Sequence, residues 1–248
     1  MTPRKSLVLL AFILLFALPD LAAADVIVGL PADSNAGNCY PFGCGYTGEY
    51  QQVYTSSQFS VPITITNLEF FNTQYNSGAT AMPTGNWAIS LSTTSADWNT
   101  LSSTFSSNIG ANNTLVYDGS LSQSWAFGDT LDIPLTTSFY YDPSQGNLLM
   151  DVIATGTNSI GGLTPTGGLI FFDANGTYTF GTGLNTIMGR VFLDLNSYTD
   201  PTSVTGPYVN SGYGLVTDFS TPIPEPTTML LLGSGLIGLA GLWRKFKK

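Results

Sequence analysis

Six of the seven basic residues of this 248-residue chain lie at its two ends, and at each end they border an apolar run without charge. Arg4 and Lys5 precede the run at residues 6–18, and only Arg190 lies in the middle of the chain. The run at residues 227–243 is followed by four bases, Arg244, Lys245, Lys247 and Lys248. Apolar runs bordered by bases are typical of transmembrane helices and of secretory signal peptides. The pattern therefore predicts two terminal segments that stay out of the core and a body that folds from the residues between them.

The N-terminal segment has the layout of a secretory signal peptide. Its two bases are followed by the apolar run and then by Ala22-Ala23-Ala24, which supplies small residues at both positions that a signal peptidase reads. We predict a signal peptide at residues 1–24, export by the Sec machinery and cleavage after Ala24. The alternative is a retained membrane anchor or a buried helix, for which the apolar run is short.

The C-terminal run predicts one transmembrane helix at residues 227–243. Such a helix would be about 26 Å long at ~1.5 Å per residue, and Trp243 and the bases after it can extend it to the membrane surface. The bases Arg244, Lys245, Lys247 and Lys248 form the topology signal, because positive flanks stay on the cytoplasmic side. The body would then lie outside. The alternative, a C-terminal core helix, would need polar residues along one face.

Within this run, residues 233–238 spell the G-x-G-x-x-G pattern of a dinucleotide-binding loop. That loop needs a preceding strand, a following helix and an acidic residue about 20 residues further on. Only ten residues follow the pattern in this sequence, which is too few for the helix and the acid. A better explanation is helix packing, because Ser234, Gly238 and Gly241 are spaced to share one helix face. Small residues on such a face let a second membrane helix approach closely.

Three alternating prolines precede the run, at Pro222, Pro224 and Pro226. They disfavour helix and sheet pairing and favour an extended conformation that an enzyme at the membrane surface can bind. The order Pro224-Glu225-Pro226, a glycine-rich apolar span and a basic tail resembles the PEP-CTERM sorting signal, here over residues 221–248.

That resemblance implies processing by exosortase, a membrane-embedded, transpeptidase-like cysteine protease of Gram-negative bacteria that make exopolysaccharide. It implies that Pro224, Glu225 and Pro226 are the recognition residues, and that the face with Ser234 docks on the enzyme. The implied location is the inner membrane first and then the cell surface or biofilm matrix. The same tail is also labelled as the C-terminal domain of ice-binding proteins.

The body at residues 25–220 is strongly acidic. Of the 16 acidic residues of the chain, only Asp20 and Glu225 lie outside it, which leaves fourteen acids against the single base Arg190. Nucleic-acid binding is excluded, because it depends on lysine and arginine to neutralise phosphates.

Alternating apolar and polar residues predict an all-β body. The stretch Val61–Phe71 alternates clearly, and several other short runs are bounded by turn residues. We predict a β-sandwich, jelly-roll-like, with a right-handed β-helix as the alternative. Residues 173–176 (DANG) are predicted as a hairpin turn. The spacing of Trp98, Leu101 and Phe105 predicts a helical segment after Ser95.

Cys39 and Cys44 are the two cysteines of the chain, five positions apart in an exported body. We predict a disulfide that closes a small loop. Zinc is not expected, because its sites take four ligands and the chain has no histidine.

Catalysis is not expected, and no catalytic, cofactor-binding or metal-ligating residue is assigned. Without histidine there is no Ser-His-Asp triad and no Cys-His pair. The carboxylate pairs Asp129 with Asp132 and Asp151 with Asp194 are weighed as glycosidase acids, but solvated or turn-forming acids explain them better. A structural Ca²⁺ is left open without a location, since the loop at residues 173–176 lacks the later acids of a calcium loop.

Three roles for the body follow, and the first is preferred. It is a structural or adhesive module of the cell surface that contacts exopolysaccharide. The second is a carbohydrate-binding or glycan-degrading module that uses exposed aromatic residues such as the tyrosines at residues 40–50. The third is ice binding, for which Thr64, Thr66, Thr177 and Thr179 are too isolated to form a regular face.

Overall fold

A computed structural model describes most of the body and neither terminal segment. It covers residues 25–32, 37–45, 47–76, 78–121, 123–156, 169–176, 186–194 and 205–221. These residues belong to one compact unit, Ala24–Thr221. The predicted signal peptide and the predicted helix at residues 227–243 lie outside them. Within the described ranges, no helix is both long and apolar enough to span a bilayer.

The described residues are all-β, as predicted. Their strands are β1 Val26–Val28, β2 Gly37–Asn38, β3 Gly48–Tyr54, β4 Ile63–Phe71, β5 Asn86–Thr94, β6 Thr114–Gly119, β7 Thr130–Tyr141, β8 Asn147–Thr155, β9 Phe172–Asn175, β10 Met188–Asp194, β11 Thr205–Ser211, β12 Gly214–Leu215 and β13 Thr217–Ser220. Single 3-10 turns occur at Ser56–Gln58, Phe105–Ser107 and Pro143–Gln145.

The strands form three open antiparallel sheets. The larger two have the orders β1-β13-β4-β7 and β11-β10-β3-β8-β5-β6, and a small third sheet has the order β12-β9-β2. Every strand pairing among the described residues is antiparallel, whereas the strands of a right-handed β-helix are parallel. The alternative fold is therefore wrong for this part of the chain.

Side chains from the two larger sheets meet in an aromatic core. The ring of Tyr54 on β3 lies edge-on to that of Phe219 on β13, with centroids 4.9 Å apart. The Tyr54 hydroxyl also makes a 2.7 Å hydrogen bond with Thr217 Oγ1. Alternation explains why these residues point inward: on β4, Ile63 and Ile65 are buried while Thr64 between them is half-buried.

The outer face of the six-stranded sheet is covered by the connection between β5 and β6, residues 95–113. Leu101 in this connection is buried against Val53, Leu149 and Val191, and Phe105 and Ile109 are partly buried against the same cluster. The contact is close, because a Cβ atom at Gly189 on β10 would overlap the carbonyl group of Trp98. Since both faces of the sheet are covered here, the central strand β8 is buried along most of its length.

The helix predicted after Ser95 is wrong. The segment forms turns and one 3-10 turn instead, because side chains bind the backbone groups that a helix would pair. The amide of Trp98 donates to Asp97 Oδ1 at 2.8 Å, and the amide of Ser102 donates to Asn108 Oδ1 at 2.8 Å. The apolar spacing correctly indicated burial but not the local structure.

The hairpin turn predicted at residues 173–176 is also wrong. Phe172–Asn175 forms the strand β9, and Gly176 follows it with a φ of 101°. The side chains of Asp173 and Asn175 make hydrogen bonds to distant parts of the chain instead of closing a turn. Asn175 Nδ2 donates to the carbonyl groups of Gly29 and Pro31 at 2.8 and 2.9 Å. Residues 177–185, which would form the second arm of the hairpin, lie outside the described residues.

Candidate functional site

The predicted sorting residues lie outside the described residues, but the point where their segment leaves the body is described. The predicted motif consists of Pro224, Glu225 and Pro226, the packing face of Ser234, Gly238 and Gly241, and the basic tail of Arg244, Lys245, Lys247 and Lys248. The last strand of the body, β13, pairs with the first strand, β1. The amide of Thr221 donates a 2.9 Å hydrogen bond to Asp25 Oδ1. The two ends of the body therefore lie side by side at one sheet.

The predicted disulfide between Cys39 and Cys44 is present, with Cα atoms 5.2 Å apart. It closes a loop that is fixed to the body by three further contacts. Phe42 in this loop is fully buried, the amide of Ile170 donates to the Gly43 carbonyl at 3.1 Å, and Trp87 Nε1 donates to the Pro41 carbonyl at 3.1 Å. The disulfide loop thus serves packing and leaves no thiol for chemistry.

The tyrosines at residues 40–50 do not form an exposed sugar-binding surface in the described part of the chain. Tyr40 is half-buried, with its ring centroid 5.1 Å from that of Phe192. Tyr50 is fully buried, and Tyr46 lies outside the described residues. Of the tyrosines that the sequence suggested for carbohydrate binding, Tyr50 is therefore a core residue and Tyr40 packs against the body.

A polar network lies inside the body around Gln52. Tyr50 donates from its hydroxyl to Gln52 Oε1 at 2.6 Å, and Gln52 Nε2 donates to the carbonyl of Leu215 at 2.9 Å. Arg190 is 1% exposed, and its guanidinium lies over the ring of Tyr213 at 4.4 Å from the centroid. Burial raises the pKa of Tyr50, and the nearby Arg190 partly opposes this. The single base of the body therefore lies in the interior, and the described residues contain no second base that could pair with the surface acids.

The two acid pairs considered from the sequence do not come together as pairs. Asp129 accepts a 2.8 Å hydrogen bond from the amide of Ala126 in its own turn, and Asp132 lies on β7. Asp151 and Asp194 lie on β8 and β10, which are separated by β3, and their backbones align with different residues of that strand. The sequence analysis did not adopt either pair, and these strand positions give no support for adopting one.

Asp151 instead lies near Glu49, which the sequence analysis missed. Asp151 on β8 is 6% exposed and lies opposite Gln51 on β3. Glu49 is also on β3, two positions before Gln51, and so shares its face of the sheet. Burial, and then the charge of Glu49, raises the pKa of Asp151 to about 7, while the Gln51 side chain lowers it. Burial also raises the pKa of Glu49. This arrangement favours a protonated carboxyl group at Asp151 near neutral pH.

A second group of acids lies on the outer face of the four-stranded sheet. Asp218 on β13 lies opposite Glu69 on β4, and Glu69 lies opposite Asp132 on β7. Burial, then the charge of Asp25, then that of Glu69 raises the pKa of Asp218 to about 6. Like charges placed directly opposite each other destabilise a sheet.

No three acidic or cysteine side chains in the described part of the chain are close enough together to form a metal site by themselves. Asp173, considered as the first ligand of a calcium loop, is already engaged. It accepts hydrogen bonds from the amide and hydroxyl of Thr73 at 2.8 and 2.6 Å and from the amide of Gln74 at 3.0 Å. The calcium loop that was weighed and not adopted at residues 173–176 therefore gains no support from the position of Asp173.

A surface cleft of about 380 Å³ lies beside the end of β7. Its most exposed aromatic side chain is Tyr140, which is 63% exposed. Polar groups surround it: Asn112 Oδ1 accepts from the amide of Thr93 at 2.7 Å, and Asp142 Oδ1 accepts from the amide of Ser144 at 2.9 Å. The hydrogen bonds from Ser144 lower the pKa of Asp142, so this carboxylate is charged at neutral pH. Alternation along β7 could have predicted that Tyr140 points outward.

Comparison with known proteins gives one match, in the terminal segment rather than in the body. No curated protein and no solved structure matches the chain significantly. Residues 222–245 match the family model of the PEP-CTERM protein-sorting motif. The match begins directly after Thr221, which is the last residue that the structure describes. The chain thus carries a PEP-CTERM protein-sorting motif, which is the signature of an exported protein that exosortase sorts.

Proposed function

We propose that this protein is an exported component of the cell surface or biofilm matrix, with a non-catalytic β-sandwich body that has a structural or adhesive role. Exosortase would process it while the helix at residues 227–243 holds it in the inner membrane. Signal peptidase would have removed residues 1–24 before this step. No cofactor is assigned to this role.

The observation that carries the proposal is the sorting motif at residues 222–245. It starts directly after Thr221, the last residue of the compact unit that forms the body, so the motif is not part of that unit. The hydrogen bond from Thr221 to Asp25 also supports the proposal, because it fixes the chain immediately before the motif. In this role Pro224, Glu225 and Pro226 are recognised by exosortase. The face of Ser234, Gly238 and Gly241 contacts the helices of the enzyme.

Replacement of Pro224-Glu225-Pro226 by three alanines tests the proposal. We expect export to remain intact, while the full-length form accumulates in the inner membrane because the enzyme no longer recognises it. Cell fractionation and intact-mass measurement would follow the two forms. The control is Pro222→Ala, which removes a proline of the same segment outside the triplet. Normal surface delivery of the triple variant would contradict the proposal.

Carbohydrate binding is a second candidate for the body, and the cleft beside Tyr140 favours it. A flat exposed ring with amide and carboxylate groups around it suits a sugar, whose C–H faces pack on the ring while its hydroxyl groups make hydrogen bonds. This role would connect the sorted protein to the exopolysaccharide of its host.

Affinity electrophoresis in gels that contain this polysaccharide would test the second candidate. We expect the polysaccharide to retard the wild-type protein, and Tyr140→Ala to lose most of the retardation. Phe127→Ala is the matched control, because Phe127 is another large exposed aromatic residue, 48% exposed, and does not line the cleft. Equal loss in both variants, or no retardation of the wild type, would refute binding at the cleft.

A further inference from the structure

Oxygen atoms dominate the outer face of the four-stranded sheet around β13. Asp218 and Glu69 are cross-strand neighbours, and Ser220 and Asn67, two positions further along the same strands, form the next aligned pair on the same face. Asn67 Nδ2 donates to Glu69 Oε1 at 3.1 Å, and Ser220 Oγ donates to the same oxygen at 3.5 Å. Residues two apart on a strand share a face, so all four side chains belong to one patch. We call it the β13 patch.

Two oxygen atoms of the β13 patch are buried without a hydrogen-bond partner, Asp218 Oδ1 and Asn67 Oδ1. Asp218 is 8% exposed, so its carboxylate is largely removed from water. A buried carboxylate without a partner is costly, and buried polar atoms in proteins are nearly always satisfied. The β13 patch therefore combines adjacent acids with two oxygen atoms that have nothing to bind.

Among the described residues, no basic side chain neutralises this patch. The single base of the body, Arg190, is buried on β10 in the other large sheet, where its guanidinium lies over the rings of Phe192 and Tyr213. On the acidic side, Asp25 adjoins the patch through its hydrogen bond from Thr221, and Asp132 lies across β4 from it. The charged neighbours of the patch in the described part of the chain are therefore all acidic, which favours a metal cation over a polar organic ligand.

We propose that the β13 patch binds a calcium ion through the carboxylates of Asp218 and Glu69 and the amide oxygen of Asn67. Ca²⁺ accepts six to eight oxygen ligands in flexible geometry, including carboxylates, amide oxygens and water. Two carboxylates with neutral oxygens are sufficient for such a site. Mg²⁺ requires stricter octahedral geometry and keeps its water, so it fits two flexible strands less well.

The ion would have a structural role, because it lies where the two ends of the body meet. It would join β4 to β13, the last strand before the sorting motif. The raised pKa of Asp218 agrees with this role, since burial and then the nearby charges of Asp25 and Glu69 disfavour its charge, and a divalent cation would offset both. This inference concerns the body alone and stands whether or not exosortase processes the tail.

Thermal unfolding of the full chain in a non-ionic detergent tests the proposal, with CaCl₂, MgCl₂ or EDTA as the additive. For a site of extracellular affinity, Kd about 0.1 mM, 10 mM Ca²⁺ should raise Tm by roughly 5–10 °C. The same concentration of Mg²⁺ should raise Tm by less than half as much. No shift with Ca²⁺ at pH 7.5 would overturn the proposal.

Asp218→Asn separates this site from other calcium sites. The variant should lose the Ca²⁺ shift and should also melt at a higher temperature than the wild type in EDTA, since a buried charge is gone. Asp129→Asn is the matched control and should keep the full shift, because Asp129 lies in a separate turn. A full shift in Asp218→Asn would overturn the assignment. If that variant does not fold, Glu69→Gln gives the same test.

Discussion

Each of the two larger sheets has a buried acid on its outer face, Asp151 on one and Asp218 on the other, and the side chains around these two acids differ. On the six-stranded sheet, residues 95–113 cover the face, and Asp151 has the amide side chain of Gln51 beside it. Asn108 fixes that amide by donating to Gln51 Oε1 at 2.9 Å. On the four-stranded sheet, Asp218 is surrounded by other acids.

Two buried acids with similarly raised pKa values thus have different surroundings. Asp151 has one carboxylate and one amide beside it, so a proton is sufficient. Asp218 adjoins Glu69 and Asp25 in a patch rich in oxygen atoms, so a cation suits it better. The surroundings of an acid, rather than its pKa alone, indicate which cation it takes.

The covering segment can be tested by Leu101→Ala, for which we expect the largest effect. Leu101 is 6% exposed and contacts a buried cluster, so its truncation leaves a cavity between the segment and the sheet. The free energy of unfolding should fall by about 3 kcal/mol. Urea unfolding followed by tryptophan fluorescence would measure it. A change below about 1 kcal/mol would show that the segment does not hold this face.

The proton at Asp151 can be tested by pH, with a smaller expected effect. An acid whose pKa is about 7 in the folded state and about 4 when unfolded binds more protons when folded. Its stabilising contribution is therefore present at low pH and lost as the pH rises through 7. Between pH 5 and pH 8 we expect a loss of about 2 kcal/mol.

Asp151→Asn provides the control for this pH dependence. It should flatten the fall in Tm between pH 5 and pH 8 and raise Tm at pH 8, because the buried charge is removed. Asp132→Asn, on an exposed position of β7, should leave the slope unchanged. If the slope survives in Asp151→Asn, other acids such as Asp218 cause it.

The smallest expected effect is that of Ile27→Ser on β1. Ile27 is 41% exposed and lies opposite Asp218 at the edge of the four-stranded sheet. Because the Ile27 side chain is already partly in contact with water, the free energy of unfolding should change by less than about 0.5 kcal/mol. A loss comparable to that of Leu101→Ala would show that this face is covered as well, and the comparison of the two faces would fail.

The sequence was sufficient for the strand content and the disulfide, because both depend on local patterns. Alternation identified β4 directly, and two cysteines five positions apart left one pairing. It was insufficient for residues 95–113 and for Asp173, because their local structure is set by hydrogen bonds to distant residues. Asp173 binds Thr73, one hundred positions earlier, and no local pattern contains that information.

The acidic sites were harder to predict for the same reason. Asp151 was recognised as an acid of interest, but its neighbour is Glu49 rather than Asp194, since register and not composition decides which strands adjoin. Asp218 was not singled out at all. Its position depends on β13 lying between β1 and β4, which only the fold reveals. The sorting motif could be identified from the sequence because all of its parts lie in one continuous segment.

The position of β13 also fixes the order in which the body can assemble during export. The chain crosses the membrane with β1 first, but among the described strands β1 pairs with β13 alone, and the pairing aligns Val28 near the start of the body with Thr217 near its end. The four-stranded sheet therefore stays incomplete until nearly the whole body has crossed, when the sorting motif is the next segment to arrive. Chains that end before residue 217 should remain sensitive to added protease, and resistance in them would show that the body folds without its last strand.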